Sequence, residues 1–526
     1  MAFTFQINTD VEFIHNENLL KKAEENKPVI QTRKVFPVCI AELVKDETQL
    51  NGITAKQSKK DLSQLPSYGW KRDDRLILDF GDHMVGKFEI DIDQTGSPMD
   101  APLYLRIKFA EVPSELEAES RDYNGWLSRS WIQEEFVHFD QLPAKLFLPR
   151  RYSFRYVELK IIDTSPKWQA VFSNPTVTTE TSADSSSFKP LCLKDEKLQK
   201  IYNVGIKTLA DCMQDVFEDG PKRDRRLWLG DLRLQALADY ASFDNTALVK
   251  RCLYLFAGMT TKEGKISANV FVQPKNIPDD TFLFEYSLFF ISVLYDLHQA
   301  HPDENLVREL YPIAKKQIDL SLQMFDKDGK LIPDEDYPVF VDWSNEFNKD
   351  TAGQAEMIYV LKQFIFLAET IGEPDINFYH EKLTLISRYA RENLYRSERK
   401  LFVTGNEEFN IASQVWMVLA GVMSPEENRE IMQTTIREMF PITGIATPYM
   451  YHHIVEALFQ AGLKDDAVTL MKNYWGKMID LGADTFWEAF DPNQPDYSPY
   501  GSPIVNSYCH AWSCTPVYLI KKYLTE

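Results

Sequence analysis

The hydrophobic period of this sequence changes once, near residue 190, and that change restricts the fold more than any other feature. Before it, apolar residues alternate with polar ones, most clearly in RLILDFGDHMVGKFEIDID (75–93) and LYLRIKFAEV (103–112). Alternation with a period of two, broken by Gly, Asp and Pro, is typical of antiparallel strands. We therefore predict an all-β domain over residues 1–185, most simply an antiparallel β-sandwich, and a polar linker over 178–188. The core of the sandwich would contain Leu76, Leu78, Phe80, Phe88, Ile90, Ile92, Leu103, Leu105, Ile107 and Phe109.

From about Asp195 the period is helical, and the helices are of two kinds. FLFEYSLFFISVLYDL, which starts at Phe282, is apolar on nearly all sides, as a buried helix is, whereas SPEENREIMQTTIREMF has one apolar stripe and belongs outside. In the second helix, Ser424, Pro425 and Glu427 predict a capping box with proline in the first turn. We count twelve helical segments, which begin near residues 195, 231, 245, 281, 304, 352, 374, 410, 425, 447, 465 and 508.

The connections between the two kinds of helix differ in length. From a buried helix to the next outer helix the chain needs only a few residues. In the opposite direction it uses long loops, near residues 216–230, 259–280, 326–351, 398–409 and 481–507. Long loops in compact domains are usually functional, and alternate loops of a ring of helical hairpins emerge at the same end. The mainly α part, residues 190–526, is therefore predicted to be an (α/α)6 barrel with its long loops around one mouth.

The charge balance indicates which partners the protein is not expected to have. The chain of 526 residues has 58 Lys and Arg against 78 Asp and Glu, a net charge of −20, and no basic run. Nucleic acid and anionic membranes both require clustered basic side chains, so neither is an expected partner. A neutral ligand such as a carbohydrate is compatible with this charge. The sequence leaves the oligomeric state open.

Cysteine usage and the N-terminus predict a cytoplasmic protein without a cofactor. The six cysteines form no CxxC pair and no framework spacing, so they are expected to be free thiols of a reducing compartment. No Cys/His cluster predicts a metal site, and no Gly-rich phosphate loop predicts a nucleotide. Residues 1–13 lack the pattern of a signal peptide, and no apolar run reaches the roughly 18 residues of a membrane span.

Carboxylates and tryptophans are concentrated in the long loops. The first loop contains EDGPKRDRRLWLGDLR (218–233), with Asp219, Asp224, Trp228 and Asp231. The later loops and the start of the last helix add Asp279, Asp280, Asp342, Trp343, Glu346, Glu407, Glu408, Trp487, Glu488 and His510. In glycosidic cleavage one carboxylic acid protonates the leaving oxygen, a carboxylate activates water or attacks directly, and indole faces stack on the sugar. The loops therefore predict a carbohydrate-active enzyme.

Each of these residues also has a structural interpretation. Asp231 follows Gly230 at the start of a helix, where it would serve as an N-cap. Asp224 lies among arginines and would form only an ion pair, which is the commoner fate of such a carboxylate. A single tryptophan is usually a core residue, and His510 alone is more often an interior histidine than a ligand contact. Their joint occurrence at one rim favours the functional interpretation.

Three segments resemble the bacterial α-L-rhamnosidases, family 78 of the glycoside hydrolases. DGPKRDRRLWLGD (219–231) is similar to the family signature, roughly Asp-Cys-Pro-x-Arg-Glu-x-x-Gly-Trp-x-Gly-Asp. GADTFWEAFDP (482–492) is similar to its second motif, Gly-Ala-Thr-Thr-x-Trp-Glu. NSYCHAW (506–512) is similar to the Ser-x-x-His segment near the last helix of the barrel. The resemblance extends from about residue 70 to residue 526.

The resemblance implies a β-sandwich followed by an (α/α)6 barrel, and hydrolysis that inverts the anomeric configuration. It assigns the general acid to Asp224 and the general base to Glu488. Asp219 and Asp231 would bind sugar hydroxyls and stabilise positive charge at the ring. The remaining residues of the implied sugar site are Arg223, Trp228, Asp342, Trp343, Trp487 and His510.

Three positions depart from the signature. Asp224 replaces glutamate and is one methylene shorter, Gly220 replaces cysteine, and Leu227 replaces the glycine before tryptophan. Our expectation is a glycoside hydrolase of the α-L-rhamnosidase type that acts on a small glycoside or oligosaccharide. Two alternatives stay open: a glycosidase of the same fold for a different sugar, and a non-catalytic carbohydrate-binding protein that has lost its acid.

Overall fold

The computed structural model of the protein describes residues 11–525, except Ser187 and Lys189. Two predictions reach beyond these residues. The absence of a signal peptide concerns residues 1–13, most of which lie outside the described part, and the predicted linker includes Ser187. Among the helices of the described part, none has both the length and the hydropathy that crossing a membrane would require.

The residues between 11 and 186 are mainly β-structure. Their strands are β1 (Phe13–His15), β2 (Gln31–Val35), β3 (Cys39–Lys45), β4 (Ile53–Gln57), β5 (Arg75–Gly96), β6 (Leu103–Ala110), β7 (Glu134–Phe139), β8 (Ala144–Phe147), β9 (Tyr152–Asp163) and β10 (Trp168–Thr181). The helices here are α1 (Glu17–Glu25) and α2 (Ser114–Glu117). Strands β2 to β10 form one antiparallel sheet in the order β2-β10-β5-β9-β6-β7, with β3 and β8 also on β5 and β4 on β3.

The central strand β5 is 22 residues long and takes part in both layers of this sheet. Its first part pairs with β3 and β9, and its second part pairs with β10 and β8. The register with β9 shifts between Asp79 and Met84, and Gly81 has a φ of +83°. Such irregularities let a strand pass from one layer of a sandwich to the other. The ten apolar residues predicted for the core are all buried in one cluster, which confirms the alternating pattern.

Residues 190–525 form twelve helices and several short strands. The helices are α3 (Glu196–Cys212), α4 (Leu229–Tyr240), α5 (Thr246–Gly258), α6 (Phe284–Ala300), α7 (Glu304–Leu322), α8 (Asp350–Ile371), α9 (Asn377–Tyr389), α10 (Ile411–Leu419), α11 (Pro425–Met439), α12 (Pro448–Gln460), α13 (Lys464–Asp480) and α14 (Pro516–Leu524). Eleven begin within three residues of the predicted positions. The twelfth begins at Pro516 rather than near 508, because the segment before it is irregular and contains only a short 3-10 helix, Ala511–Ser513.

The even-numbered helices α4, α6, α8, α10, α12 and α14 form a closed inner ring in which each packs on the next. The odd-numbered helices from α3 to α13 lie outside this ring. The inner helix α6 is buried on nearly all sides, as predicted for this segment. The outer helix α11 has the expected capping box between Ser424 and Glu427, with Pro425 in its first turn. This arrangement is the predicted (α/α)6 barrel.

Short strands lie in the connections between the helices of the barrel. They are β11 (Leu227–Trp228), β12 (Met259–Thr261), β13 (Asn269–Phe271), β14 (Ile277–Pro278), β15 (Tyr395–Arg396) and β16 (Leu401–Phe402). Strands β11, β13 and β14 form a three-stranded sheet that joins the first loop to the second. This pairing holds Trp228 opposite Asn269 at the mouth of the barrel.

The first described residues pack on the barrel rather than on the sandwich. Strand β1 pairs with β12, and the backbone N–H of Asn16 donates to the carbonyl of Gly258 at 2.8 Å. Helix α1 lies against α5, and its residues Leu19 and Ala23 belong to the barrel core. The described residues thus pack first on the barrel, then form the sandwich and then return to the barrel.

A buried ionic cluster joins the two domains beneath the first loop. Lys222 contacts the Glu115 carboxylate and donates to the carbonyl of Asn506 at 2.7 Å. Glu111 accepts a hydrogen bond from the backbone N–H of Tyr508 at 2.7 Å. Both glutamates follow β6 of the sandwich, whereas the other three residues belong to the barrel loops. The sandwich therefore supports the loops that carry the acidic motifs.

Candidate active site

The long loops meet around one cavity with a volume of about 310 Å³. The residues singled out in the sequence that line it are Asp219, Arg223, Asp224, Trp228, Asp231, Asp279, Asp280, Trp343, Glu488 and His510. They come from the first, second, third and last long loops and from the segment before α14. The cavity therefore lies at the mouth that the loop lengths predict.

The carboxylate of Asp219 braces the first loop at the wall of the cavity. Its two oxygens accept hydrogen bonds from the backbone N–H groups of Asp224 and Arg226, both at 3.0 Å. Its backbone carbonyl accepts a hydrogen bond from the N–H of Ala511 at 2.6 Å, which connects the first motif to the third. Burial, followed by the neighbouring charge of Asp224, raises the pKa of Asp219 to about 8.

Asp231 and His510 face each other in the buried part of the cavity. Asp231 Oδ1 lies 3.5 Å from His510 Nδ1, and neither atom has a hydrogen-bond partner among the described residues. Burial raises the pKa of Asp231 well above its usual range, and burial lowers the pKa of His510, so the imidazole is neutral. Since α4 begins at Leu229 with Trp228 at the N-cap position, the N-cap interpretation of Asp231 is wrong. The two unpartnered atoms are available to a ligand.

Glu488 is buried between Arg223 and Tyr500 at the cavity wall. Its carboxylate accepts short hydrogen bonds from Arg223 Nη2 and from the Tyr500 hydroxyl, and His510 Nε2 lies 3.9 Å from Oε1. Its backbone N–H donates to the carbonyl of Ser507 at 3.0 Å. Burial raises the pKa of Glu488, whereas the positive charge of Arg223 and the Tyr500 hydrogen bond oppose this shift.

Asp224 is more exposed than Glu488, the other carboxylate to which the resemblance assigns proton transfer. Its side chain keeps 19% of its accessible surface, against 5% for Glu488. The guanidinium of Arg223 contacts both: Nη1 lies 3.4 Å from Asp224 Oδ1, and Nη2 donates to Glu488. The two carboxylates are therefore close enough for one guanidinium to bridge. The neighbouring Arg225 instead donates to the backbone carbonyl of Arg151 at 3.0 Å.

Trp228 and Trp343 supply aromatic walls. The ring of Trp228 meets Tyr286 edge-on at 6.2 Å, and that of Trp343 meets Tyr500 edge-on at 5.9 Å. Gly230 of the first motif permits the first contact, because a Cβ atom there would lie 2.4 Å from the Tyr286 ring. Aromatic faces beside carboxylates are what a sugar site requires.

Asp342 does not line the cavity, contrary to the role that the resemblance implies. It is fully buried, and its carboxylate accepts hydrogen bonds from the backbone N–H groups of Ser344, Ala446 and Thr447 at 2.8, 3.0 and 3.1 Å. The Thr447 hydroxyl also donates to it. These donors use both oxygens, so Asp342 fixes the third loop to the segment before α12 instead of contacting a ligand.

Trp487 also lies away from the cavity. It is 2% exposed, and its ring packs edge-on against Phe490 at 5.3 Å and Tyr508 at 5.6 Å. Glu488 lines the cavity while the neighbouring Trp487 packs in the core, so the expected role of Trp487 in the sugar site is not supported.

Three other carboxylates of the long loops do not reach the cavity. Glu408 accepts a hydrogen bond from the backbone N–H of Asn348 at 2.9 Å, and Glu407 pairs with Arg396 on the surface at 2.6 Å. Glu346 is exposed. The fourth long loop therefore contributes no residue to the lining of the described cavity.

Several lining residues were missed in the sequence, because most lie outside the motifs and because the resemblance gives no role to Arg226 and Trp512 within them. They are Trp126, Leu127, Ser128, Trp131, Arg226, Phe271, Thr281, Leu283, Tyr286, Phe340, Tyr500 and Trp512. The first four belong to the sandwich domain, which sequence reasoning did not connect with the site. A usable signal was present there, because YNGWLSRSW (123–131) places two tryptophans in an otherwise polar loop.

Among the described residues, one group has the spacing of metal ligands: His83, Asp211 and Cys509. His83 Nδ1 lies 2.6 Å from Asp211 Oδ2, and Lys207 Nζ donates to the same carboxylate at 2.7 Å. A lysine ammonium therefore already supplies the positive charge that balances Asp211. The group lies at the domain junction and does not line the cavity.

Both domains match family models. Residues 37–179 match the glycosyl hydrolase family 78 alpha-rhamnosidase N-terminal domain, and residues 188–524 match the bacterial alpha-L-rhamnosidase 6 hairpin glycosidase domain. An alpha-L-rhamnosidase of Streptomyces avermitilis is 22% identical over 449 residues, which are 83% of this chain and 41% of that protein. The chain thus spans well under half the length of this curated relative.

Solved structures agree with the family models. A rhamnosidase from Klebsiella oxytoca with rhamnose bound is 44% identical, with a TM-score of 0.95, over 98% of this chain and 100% of that chain. A family 78 rhamnosidase of Bacillus sp. GL1 is 20% identical and has a TM-score of 0.71 over 85% of this chain and 46% of that chain, a likeness of fold. With both domains matched, the chain belongs to glycoside hydrolase family 78, the α-L-rhamnosidase family.

Proposed function

We propose that the protein is an inverting α-L-rhamnosidase that removes a terminal rhamnosyl residue from a small glycoside or oligosaccharide. Membership of the family supports this proposal, as does the 44% identical Klebsiella oxytoca structure, which has rhamnose bound and is covered over its whole length. The observation that carries the proposal is the contact of one guanidinium, that of Arg223, with both Asp224 and Glu488 at the cavity wall.

Asp224 is the general acid in this proposal. An acid that serves a leaving group needs to reach the open side of the cavity, and Asp224 is the more exposed carboxylate of the pair. It gives its proton to the glycosidic oxygen as the bond to the anomeric carbon breaks. The aspartate that remains is negatively charged and lies beside the Arg223 guanidinium, which stabilises that charge.

Glu488 is the general base, and it removes a proton from the water that attacks the anomeric carbon. Burial raises its pKa and so strengthens it as a base, while Arg223 and Tyr500 favour its charged form. An inverting pair requires carboxyl groups roughly 6.5–9.5 Å apart, so that a water fits between Glu488 and the sugar. The bridge through one guanidinium is compatible with a separation of this order.

Five other lining residues hold the sugar. Asp231 Oδ1 and His510 Nδ1 are buried and unpartnered among the described residues, so they are suited to bind sugar hydroxyl groups. Asp219 and Asp231 also lie beside the oxocarbenium-like ring of the transition state, whose developing positive charge would favour their ionised forms and so oppose the rise in pKa that burial causes. Trp228 and Trp343 provide faces for the C–H surfaces of the sugar.

Two amide substitutions test the assigned roles. Asp224→Asn and Glu488→Gln are each expected to lower kcat by about 100- to 10,000-fold on methyl α-L-rhamnoside, because each removes one proton transfer. On 4-nitrophenyl α-L-rhamnoside, Asp224→Asn should lose much less activity, since nitrophenolate leaves without protonation, whereas Glu488→Gln should lose as much as before. Asp279→Asn, in the same cavity, is the matched control. Steady-state kinetics on both substrates give the comparison.

The anomeric product and the choice of sugar separate the proposal from its alternatives. Proton NMR of the first product should show β-L-rhamnose, and the α-anomer would contradict inversion. A panel of aryl glycosides in which another sugar is cleaved faster would favour the same-fold alternative. If the protein binds rhamnose but cleaves no member of the panel, it is a carbohydrate-binding protein without catalysis.

We also propose a cytoplasmic location, which the cysteine pattern supports. In the structure all six cysteines are free thiols, and Cys212 Sγ lies 3.9 Å from Cys509 Sγ without a bond. Reduced thiols are typical of a reducing compartment. Fractionation of cells of the source organism, with the protein recovered outside the cytoplasmic fraction, would contradict this location.

A further inference from the structure

The sandwich domain forms one side of the cavity entrance through three apolar residues, Trp126, Leu127 and Trp131, which we call the lip. The lip lies between α2 and β7, far in sequence from the acidic motifs. The Trp126 indole N–H donates to the carbonyl of Pro499 at 3.0 Å, and its ring lies 5.4 Å from that of Tyr500. These contacts fix the lip against the last long loop of the barrel.

Burial shows which end of the cavity the lip occupies. Asp231, Asp219 and Glu488 are 2%, 4% and 4% exposed, so they lie in its depth. Trp126 is 48% exposed, so it stands at the entrance. The cavity therefore has a closed end with the buried carboxylates and an open end with the lip, whose polar neighbours in the lining are Ser128, Asp279 and Asp280.

The proposed roles of the carboxylates orient a substrate along this axis. The sugar ring is held at the closed end, where the carboxylates and His510 lie. The leaving group has to be next to Asp224, whose side chain keeps 19% of its accessible surface and therefore borders the open side. The aglycone consequently extends toward the entrance of the cavity, where it would contact the lip.

The chemistry of the entrance favours a flat, apolar aglycone. The lip presents two indole rings and one leucine. The cavity lining also includes Phe271, whose ring centre lies 4.2 Å from the guanidinium of Arg226. Aromatic rings stack well on indole, whereas a second sugar needs several directed hydrogen bonds. The lip itself has no side chain that accepts a hydrogen bond.

We propose that the lip is an aglycone-binding site for a planar aromatic group attached directly to the rhamnose, and that Trp126 is its specificity-determining residue. This inference rests on the proposed function, because the direction of the leaving group follows from the role of Asp224. With such a site, aryl rhamnosides with extended ring systems should be better substrates than those with a single ring.

The test compares 2-naphthyl with phenyl α-L-rhamnoside, because their leaving groups have similar acidity and differ mainly in ring area. The wild type should prefer the naphthyl substrate by about 3- to 10-fold in kcat/KM, an effect of the size that one aromatic contact produces. In Trp126→Ala this ratio should fall to about 1 to 2, chiefly through KM. Phe378→Ala, which removes an aromatic side chain of equal exposure on α9, should keep the wild-type ratio.

A conservative variant separates stacking from support of the loop. Trp126→Phe keeps a flat ring but loses the hydrogen bond to Pro499, so it should retain most of the naphthyl preference. An unchanged ratio in Trp126→Ala would overturn the proposal. If the wild type cleaves no rhamnoside, the proposed function fails instead. Calorimetric binding of 2-naphthyl and methyl α-L-rhamnoside then decides the lip, with tighter naphthyl binding that Trp126→Ala abolishes in support and equal binding against.

Discussion

The charge of Glu488 depends on two donors that oppose its burial. The carboxylate is nearly inaccessible, which favours the protonated form, while Arg223 and the Tyr500 hydroxyl favour the carboxylate. Sequence reasoning assigned Glu488 a role but not Tyr500, since Tyr500 lies in an irregular loop with no motif. The pKa of Glu488 therefore depends on contacts between distant segments that the sequence does not show.

The Tyr500→Phe variant should shift the acid limb of the pH profile. Removing the hydroxyl removes a hydrogen bond to the charged form, so the pKa of Glu488 rises further. A general base has to be deprotonated, so the acid limb of kcat/KM should move to higher pH by about one unit. Tyr508→Phe is the control, because its hydroxyl donates to the carbonyl of Pro503. A limb that stays in place would show that Tyr500 does not influence the base.

Gly220, which replaces the usual cysteine of the first motif, is required by the local backbone. A Cβ atom there would lie 2.4 Å from the carbonyl oxygen of Arg223 and 2.8 Å from Ser507 Oγ. A backbone carbonyl cannot move aside cheaply, so Gly220→Ala should lower stability by about 1–3 kcal/mol and reduce kcat. In Gly476→Ala the nearest atom is Cε of the flexible Lys197, and thermal unfolding should show little loss. Equal stability of the two variants would contradict this reading.

A motif predicted which segments reach the cavity but not the direction of every side chain in them. Asp224 and Glu488 line the cavity, whereas Trp487, which lies in the same motif as Glu488, packs in the core. Asp342 was expected in the sugar site and instead binds backbone N–H groups. An irregular loop has no period, so its sequence does not tell which side chains face inward.

Between elements, the junction of sandwich and barrel depends on Lys222. This residue is 1% exposed, and it contacts Glu115 and lies 3.9 Å from Glu111. The next residue is Arg223, whose guanidinium contacts both Asp224 and Glu488. The contacts of Lys222 with the sandwich therefore help to position this guanidinium.

Lys222→Met should destabilise the protein by about 3–5 kcal/mol, since it leaves a buried carboxylate without its cation. The double variant Lys222→Met with Glu115→Gln should cost less than the sum of the two single changes. Urea unfolding of the four proteins in this cycle measures the difference. Additive costs would mean that the two side chains do not stabilise each other.

Helices were predicted more reliably than the segments between them. Eleven helices begin within three residues of their predicted starts, because inner and outer helices have distinct apolar patterns. The last helix begins later, at Pro516, because the preceding chain pairs with the second motif. The backbone N–H of His510 donates to the backbone carbonyl of Phe486 at 2.9 Å. Pairing between distant loops leaves no periodic signal in either of them.

For the whole molecule, the rate at which each cysteine is alkylated measures how accessible its thiol is in the folded protein. Cys192 is exposed and Cys39 is partly exposed, whereas Cys212, Cys252, Cys509 and Cys514 are buried. In the native protein iodoacetamide should modify Cys192 first and Cys39 more slowly, and all six only after unfolding. Mass spectrometry counts the adducts. Rapid modification of a buried thiol would show that the domains separate in solution.

The packing of strand β1 and helix α1 on the barrel determines what a proteolytic cut between the domains would do. Strand β1 and helix α1 are held to the barrel, although the sandwich follows them in sequence. The exposed residues 184–186 are the natural place for a protease to cut between the domains. After such a cut, strand β1 and helix α1 would still bind the amino-terminal fragment to the barrel, so the two fragments would remain a single particle.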